Sequence, residues 1–262
     1  MVKTSAAGFS RRRFMAGSAA VAAARLAWPE ENRRLKVCVL GASGTVGNAI
    51  MREILNAGHH VIAISRSTDK LAKIRAEYAA KGVETLVGDV ASDESAAALH
   101  AALHAQFGKP DGIVAALSSP AADRPMKVLG TPTDPLRRAF DTNFFTHVVA
   151  AKALIPELGA GGVYVGVNGG LPDFVLPGMA NVTMTQSALR SLYLALAQEA
   201  DESKVKVRML GLFGLVATGE RPAKNAQRSI LDSDVGRRVL DILLHPAEFP
   251  GPILAIKARA YS

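Results

Sequence analysis

The sequence has little cysteine, little tryptophan and no long apolar run. It holds one cysteine, Cys38, among 262 residues, so an internal disulfide is excluded. Cys38 falls within the first strongly apolar run, where we expect a small buried hydrophobe rather than a reactive thiol. Because a transmembrane helix needs about 20 consecutive apolar residues, which no segment provides, we expect no membrane span.

The chain also lacks a concentrated basic surface. Its net charge is +8, and four of those charges come from Lys3 and residues 11–13, in a stretch of 24 residues without an acid. The remaining surplus is spread along the chain, whereas nucleic-acid binding needs basic residues clustered on one face. We therefore expect no nucleic-acid partner. A hydrophobic fraction of 49% with 21% charged residues is typical of a globular chain with one large core.

Residues 1–34 are interpreted as a leader and linker. Residues 10–15 (SRRRFM) are typical of a twin-arginine export signal, and an apolar stretch and three alanines at 22–24 follow. We expect a periplasmic protein if this signal is used, and a cytoplasmic one otherwise. The alternatives are a basic cytoplasmic extension or a start codon assigned too far upstream.

Strand and helix patterns alternate from Leu35 to the C-terminus. Alternation of this kind predicts an α/β fold: a single Rossmann-type, doubly wound parallel sheet with helices on both faces, over residues 35–262. The loop 118–133 is long and holds three prolines, which suggests that it lines a site. Thr68 and Ser233 are the predicted caps of two helices. The predicted strands are 36–40, 61–64, 83–87, 112–117, 162–167, 205–212 and 253–256, and the predicted helices are 46–57, 69–81, 93–107, 135–155, 179–200 and 234–244.

A glycine-rich turn, GASGTVG at 41–47, joins the first strand to the first helix. Gly41 allows the tight turn, Gly44 allows the backbone to approach a pyrophosphate, and Gly47 allows close packing of helix and sheet. The helix N-terminus then directs its free N–H groups and positive dipole end at the phosphates. The alternative is a plain strand-to-helix turn. The predicted dinucleotide contacts are Gly41, Ser43, Gly44, Thr45, Val46 and Gly47.

The ends of the second and third strands indicate which dinucleotide is bound. NAD-binding proteins usually place an acid after the second strand, whereas here Arg66 stands there, flanked by two serines. An arginine pairs with the 2′-phosphate of NADP, so NADP is predicted and NAD stays possible. A solvated arginine is the alternative. Asp89, after the third strand, either accepts from the adenine amino group or caps the turn.

These features resemble the short-chain dehydrogenase/reductase family over nearly all of residues 35–260. Asp89 and Val90 look like its adenine-contacting pair. Residues 212–218 (LFGLVAT) are similar to its loop beside the nicotinamide, with phenylalanine in place of proline, which implies cofactor contacts from Gly214 and Val216. Asn143 resembles the family's helix-borne asparagine, which orders a proton-relay water.

The family's other catalytic residues do not recur. The family uses a serine after the fifth strand and a Tyr-x-x-x-Lys motif on the next helix, but here Gly169 falls at the serine position, Val182 at the tyrosine and Gln186 at the lysine. Valine cannot donate a proton, and glutamine has no charge to shift a neighbour's pKa. The candidate catalytic residues are therefore Asn143 and Gln186, with no metal. The sequence resembles branches of the family that keep the fold without the catalytic tetrad.

Two functions follow from this resemblance. The first is an NADP(H)-dependent oxidoreductase with an altered proton donor, acting on a small carbonyl or alcohol. The second is a non-catalytic dinucleotide-binding protein, either a sensor or the silent partner in an oligomer. In the family, the helices matching 135–155 and 179–200 form a dimer interface. Both are unusually apolar here, so we expect a homodimer or homotetramer.

Overall fold

The computed structural model describes residues 33–119, 123–173, 175–219 and 229–258. Residues 1–32 of the predicted leader and linker lie outside this part of the chain, and so do the expectations about export, cleavage and localisation. No described helix combines the length and the apolar character needed to cross a membrane.

Nine strands occur in the described residues. They are β1 Lys36–Leu40, β2 His60–Ser65, β3 Val83–Val87, β4 Gly112–Ala115, β5 Val163–Gly169, β6 Lys206–Phe213, β7 Leu215–Ala217, β8 Ser229–Leu231 and β9 Ile253–Lys257. Seven of them form one parallel sheet in the order β3-β2-β1-β4-β5-β6-β9, while β7 and β8 pair separately. The runs that form β1, β2 and β4 are apolar and almost wholly buried, as parallel strands covered on both faces are.

Helices cover both faces of this sheet. They are α1 Thr45–Asn56, α2 Thr68–Tyr78, α3 Asp93–Phe107, α4 Thr133–Phe140, α5 Thr146–Leu154, α6 Ala180–Glu199 and α7 Asp232–Leu244. One face packs on α1, α2 and α7, and the other on α3, α5 and α6, with a separate cluster of buried apolar residues under each set. This is the predicted doubly wound Rossmann-type fold, which is confirmed.

The strand order reverses between β1 and β4. From β1 the chain passes through α1 to β2 on one side, and later returns through α3 to β4 on the other, where Val37 lies opposite Gly112. A crevice opens at the carboxyl ends of the strands at such a reversal, and ligands of open α/β sheets bind there. The fold therefore places a candidate site at the ends of β1, β4 and β5.

Besides the short strands β7 and β8, which were not predicted, three details differ from the sequence prediction. The helix predicted over 135–155 begins at Thr133 and contains a π-helical segment, Asp141–Phe145, between α4 and α5. The cap of α2 is Ser67, whose Oγ accepts from the Lys70 N–H at 3.3 Å, and not Thr68. The last helix begins at Asp232 without a side-chain cap, so the assignment of Ser233 was wrong. Adjacent hydroxyl and acidic residues give nearly the same local pattern, so sequence alone misplaces a cap by one or two positions.

Candidate functional site

The glycine turn holds three backbone segments in contact. Gly41 has a φ of +75°, and a Cβ on it would lie 2.2 Å from the carbonyl oxygen of Ala116, just after β4. A Cβ on Gly47 would lie 2.2 Å from the carbonyl oxygen of Gly41. Neither position has room for a side chain, because the obstructing atoms belong to the backbone. The N-terminus of α1 is thereby brought against the ends of β1 and β4.

The start of α1 suits an anion. Its first turn contains no acidic residue, its cap is the exposed Gly44, and no side chain caps it. Ser43 Oγ lies 3.0 Å from Ser65 Oγ, which ties the turn to the end of β2. Uncapped N–H groups and the positive end of a helix dipole favour a phosphate when no carboxylate competes. The residues present therefore fit the diphosphate of a dinucleotide, with Thr45 exposed beside it.

Arg66 and Asp89 lie at the ends of adjacent strands. Arg66 follows β2 and is exposed, and its guanidinium makes no hydrogen bond or ion pair with the described residues. Asp89 follows β3, and its Oδ1 accepts from the Val90 N–H at 2.8 Å, which is the turn-capping contact named as an alternative. Val90 is buried. The free guanidinium suits a phosphate, whereas the Asp89 carboxylate is partly engaged by its own turn.

Gly214 and Val216 form a third part of the same edge. Gly214 is exposed directly after β6, and Val216 lies half-buried in β7, packed against the core beneath α1 and α7. The structure thus places these two residues just after the carboxyl end of β6, next to β5 in the sheet.

A cavity of about 150 Å³ lies between α1, α6 and the ends of β4, β5 and β6. Four predicted site residues line it: Val46, Asn143, Gly169 and Gln186. Val182, which the sequence resemblance aligns with the family's tyrosine, is buried and does not contribute to the described lining. The structure therefore brings together residues from four separate elements, but it sets Val182 apart from them.

Gly169 and Gln186 are sterically coupled. A Cβ at Gly169 would lie 2.1 Å from Gln186 Nε2, so the glutamine amide occupies the space that a side chain at Gly169 would need. Gln186 Oε1 accepts from the Leu171 N–H at 3.0 Å, which holds the amide there. The position of the Gln186 side chain therefore explains why residue 169 is a glycine.

Other polar groups of the cavity are bonded to the backbone. Asn168 Nδ2 donates to the carbonyl oxygen of Gln186 at 2.9 Å, and its Oδ1 accepts from the Gly169 N–H at 2.9 Å. Thr185 Oγ1 donates to the carbonyl oxygen of Asn181 at 3.0 Å. These side chains shape the cavity, and their hydrogen bonds to backbone groups leave them without an acid–base partner among the described lining residues.

Asn143 connects the loop after β4 to the π-helical segment. It is 5% exposed; its Oδ1 accepts from the Ser119 N–H at 2.8 Å, and its Nδ2 donates to Asp123 Oδ1 at 2.7 Å. Burial raises the pKa of Asp123, and the hydrogen bond from Asn143 offsets part of that rise. Sequence reasoning missed Asp123, since the only signal was its place in a long, proline-containing loop.

A buried histidine supports the floor of the cavity. His147 Nε2 lies 3.0 Å from the carbonyl oxygen of Leu117, and its Nδ1 lies 2.9 Å from the Tyr193 hydroxyl. Because a carbonyl can only accept, Nε2 carries the proton and Nδ1 accepts from Tyr193. Burial lowers the pKa of His147 to about 4. Tyr193 and the neighbouring Tyr164 are core residues, whose pKa values burial raises.

No three histidine, cysteine or acidic side chains converge as a metal site within the described segments. Cys38 is buried as expected, and burial raises the pKa of its thiol to about 12. The described residues therefore offer the site neither a set of metal ligands nor a thiolate nucleophile.

Fold and site together define a Rossmann-type protein with a cleft at the carboxyl edge of its sheet. A family model described as short chain dehydrogenase matches residues 35–229. The chain therefore belongs to the short-chain dehydrogenase/reductase family of oxidoreductases, and the resemblance found in the sequence is confirmed.

Individual relatives are distant. The chain is 27% identical over 188 residues to an uncharacterised oxidoreductase of Methylorubrum extorquens, covering 71% of this chain and 75% of that one. It is 25% identical over 192 residues to dehydrogenase/reductase SDR family member 11 of Gallus gallus, covering 69% and 74%.

Solved structures share the fold at lower identity. L-sorbose reductase of Gluconobacter frateurii, determined with NADPH and L-sorbose, has a TM-score of 0.74 at 16% identity, covering 87% of this chain and 96% of that one. An alcohol dehydrogenase of Thermococcus sibiricus, determined with 5-hydroxy-NADP, has a TM-score of 0.73 at 21% identity, covering 88% and 99%. At such identities the likeness concerns the fold.

Proposed function

We propose that the protein is an NADP(H)-dependent oxidoreductase with altered catalytic residues, acting on a small carbonyl or alcohol. The observation that supports this most directly is the uncapped N-terminus of α1 beside the free guanidinium of Arg66. Two structures of the same fold were determined with NADPH or 5-hydroxy-NADP, which agrees with this choice of cofactor.

Each part of the edge would hold one part of the nucleotide. The turn at 41–47 and the N–H groups of α1 would bind the diphosphate, Arg66 the 2′-phosphate, and Asp89 with Val90 the adenine end. Gly214 and Val216 would border the nicotinamide half. Bound NADPH supplies a hydride, and the protein orients the reactants and excludes water.

The residues beside the cavity distinguish this protein from ordinary members of its family. Gln186 cannot supply the positive charge that a lysine would, and its amide is held by Leu171. Val182 has no proton to give. We therefore propose weak turnover compared with the enzyme median of about 10 s⁻¹. The alternative function, a non-catalytic dinucleotide-binding sensor or silent oligomer partner, is favoured by the commitment of Asn168 and Thr185 to backbone groups.

Cofactor choice is tested by titrating NADPH and NADH against the wild type and the Arg66→Ala variant. A hydrogen-bonded charge pair contributes about 1.5–3 kcal/mol, so we expect NADPH affinity to fall on the order of 10–100-fold while NADH affinity hardly changes. Nucleotide fluorescence gives both dissociation constants. Arg137→Ala is the matched control, because Arg137 is exposed and pairs with Asp134 on α4. Equal losses for both nucleotides would show that Arg66 does not read the 2′-phosphate.

Oxidation of NADPH with a panel of carbonyl compounds separates the two functions. Slow but reproducible turnover supports the oxidoreductase. Binding of NADPH with no turnover of any compound identifies the non-catalytic alternative.

A further inference from the structure

Asp123 is the one titratable side chain among the described residues that line the cavity. The other polar lining residues are Ser118, Asn143, Asn168, Thr185 and Gln186, whose hydroxyl and amide groups do not ionise near neutral pH. Charged neighbours along the loop, Arg124 and Lys127, are exposed and do not line the cavity. Among the described residues of this cleft, the carboxyl group of Asp123 is therefore the available acid–base function.

Asn143 fixes the orientation of this carboxyl group. The Ser119 N–H must meet the amide oxygen of Asn143, at 2.8 Å, so the amide nitrogen points the other way and donates to Asp123 Oδ1 at 2.7 Å. The Asp123 N–H donates to the Ser119 carbonyl oxygen at 3.2 Å, so the two hydrogen-bond partners of the Asn143 side chain also contact each other. Oδ2 receives no hydrogen bond from the described residues. It is the oxygen that can carry a proton.

The surroundings of Asp123 raise the pKa of its carboxyl group above the usual range of an aspartate. The side chain is half-buried at the edge of the cavity, and loss of solvent raises its pKa more than the Asn143 hydrogen bond lowers it. A carboxyl group in this position retains its proton at a higher pH than an exposed aspartate does.

We propose that Asp123 donates the proton to the substrate oxygen during carbonyl reduction and accepts it during alcohol oxidation, with Asn143 as its positioning residue. This rests on the proposed oxidoreductase function. In reduction, the carbonyl carbon gains the hydride that NADPH supplies, and the carbonyl oxygen gains the proton from Asp123 Oδ2. The C=O π bond is replaced by one C–H and one O–H bond. Asp123 is left as a carboxylate and is reprotonated from water.

The activity test compares Asp123→Asn with the wild type. The substitution keeps the size and the hydrogen-bonding shape but removes the transferable proton. General acid catalysis contributes about 10²–10⁴-fold, so we expect a loss of that order in kcat/KM with the NADPH dissociation constant unchanged. Asp134→Asn, at an exposed aspartate of α4, should match the wild type.

The pH profile gives a second signature. Wild-type carbonyl reduction should fall as pH rises through the Asp123 pKa, because only the protonated form donates. Alcohol oxidation should rise over the same interval, because only the carboxylate accepts. In Asp123→Asn, neither the fall in carbonyl reduction nor the rise in alcohol oxidation should appear over this pH interval.

Carboxyl ¹³C NMR of the nucleotide-free protein tests the geometry without turnover. The Asp123 resonance, assigned by its loss in Asp123→Asn, should titrate above the range of the exposed aspartates. In Asn143→Ala it should titrate higher still, because the hydrogen bond that stabilises the carboxylate is gone. An Asp123 carboxyl that titrates like the exposed aspartates in both proteins would overturn the assignment.

The kinetic outcomes separate the two levels of the proposal. If the wild type reduces carbonyls and Asp123→Asn does so equally well, the oxidoreductase function stands and the role of Asp123 is wrong. If the wild type binds NADPH but reduces no carbonyl, the oxidoreductase function itself fails, and the proton transfer with it.

Discussion

Two glycines of the nucleotide-binding turn are required by space as well as by backbone conformation. Gly41 combines a left-handed φ of +75° with a backbone oxygen, that of Ala116, where its Cβ would be. Gly82 has almost the same φ, +74°, with no atom near its would-be Cβ. Comparing substitutions at Gly41 and Gly82 therefore distinguishes the cost of a left-handed backbone from the cost of a steric clash at Cβ.

We predict that Gly41→Ala is much more destabilising than Gly82→Ala. A left-handed alanine costs about 1 kcal/mol, which both variants share, and forcing a methyl group against packed backbone adds about 1–3 kcal/mol at Gly41 alone. Urea unfolding at neutral pH gives both values. Equal losses in the free energy of unfolding would mean that the turn relaxes away from Ala116, so that Gly41 is required only for its left-handed backbone conformation.

Gly169 and Gln186 show a similar dependence between residues. The glutamine amide fills the space above Gly169, so a serine cannot return to that position unless Gln186 changes too. We therefore expect Gly169→Ser to be tolerated only together with a smaller residue in place of Gln186. The residue types at these two positions depend on each other through packing.

At the scale of secondary structure, the π-helical segment Asp141–Phe145 and α5 join the cavity to the core. The π segment presents Asn143 to the loop after β4, and α5 carries His147 one turn later. Short π-helical segments inside α-helices occur frequently at functional sites. His147 then connects Leu117, on the cavity floor, to Tyr193 of α6.

We predict that His147 makes the fold sensitive to acid. Its pKa is about 4 in the folded protein and about 6.5 when unfolded, so the unfolded chain binds more protons between these values. Stability is therefore lost as pH falls from 6.5 towards 4, by about 2–3 kcal/mol at pH 4.5.

Denaturant unfolding at pH 7 and pH 4.5 measures this contribution. His147→Gln is expected to be less stable than the wild type at pH 7 but to lose less on acidification. His245→Gln, at an exposed histidine, is the control and should follow the wild-type slope. If His147→Gln lost as much stability as the wild type, acid sensitivity would have to arise elsewhere.

At the scale of the whole molecule, the helices on one face of the sheet expose apolar side chains. Phe145 is 49% exposed beside α5, and Leu194 of α6 is 42% exposed. These helices correspond to the segments that the sequence analysis assigned to a dimer interface. We propose that they form the interface between copies of this chain.

We predict that Phe145→Asp with Leu194→Arg shifts the protein to a monomer. Charged groups in the centre of an apolar interface are costly to desolvate, so association should weaken. Light scattering at micromolar concentration measures the mass. Val87→Arg, at an exposed position on the edge strand β3, should leave the assembly intact. A wild type that is already monomeric would contradict the proposed interface.

The sequence by itself determined the seven strands of the main parallel sheet, the helices between them and the glycine turn, but not the short strands β7 and β8. These follow from local properties: apolar runs bounded by turns, and glycines where φ is positive or backbones meet. The sequence did not predict the positions of the helix caps or the π-helical segment, because adjacent residues have nearly equal local preferences for these conformations. Export stays a prediction from residues 10–15, which lie outside the described part of the chain.

Only the tertiary structure decided how the residues of the cleft pair with one another. Gln186 reaches Leu171 across 15 positions, Asn143 reaches Asp123 across 20, and Ser119 reaches Asn143 across 24. Each of these contacts joins a loop to a helix whose place is set by the packing of α4, α5 and α6 on the sheet. Hydrogen bonds between such elements depend on distances of a few ångströms, which hydrophobic periodicity along the chain does not encode. Asp123 therefore becomes visible as an acid–base candidate only when the loop after β4 is seen folded against Asn143.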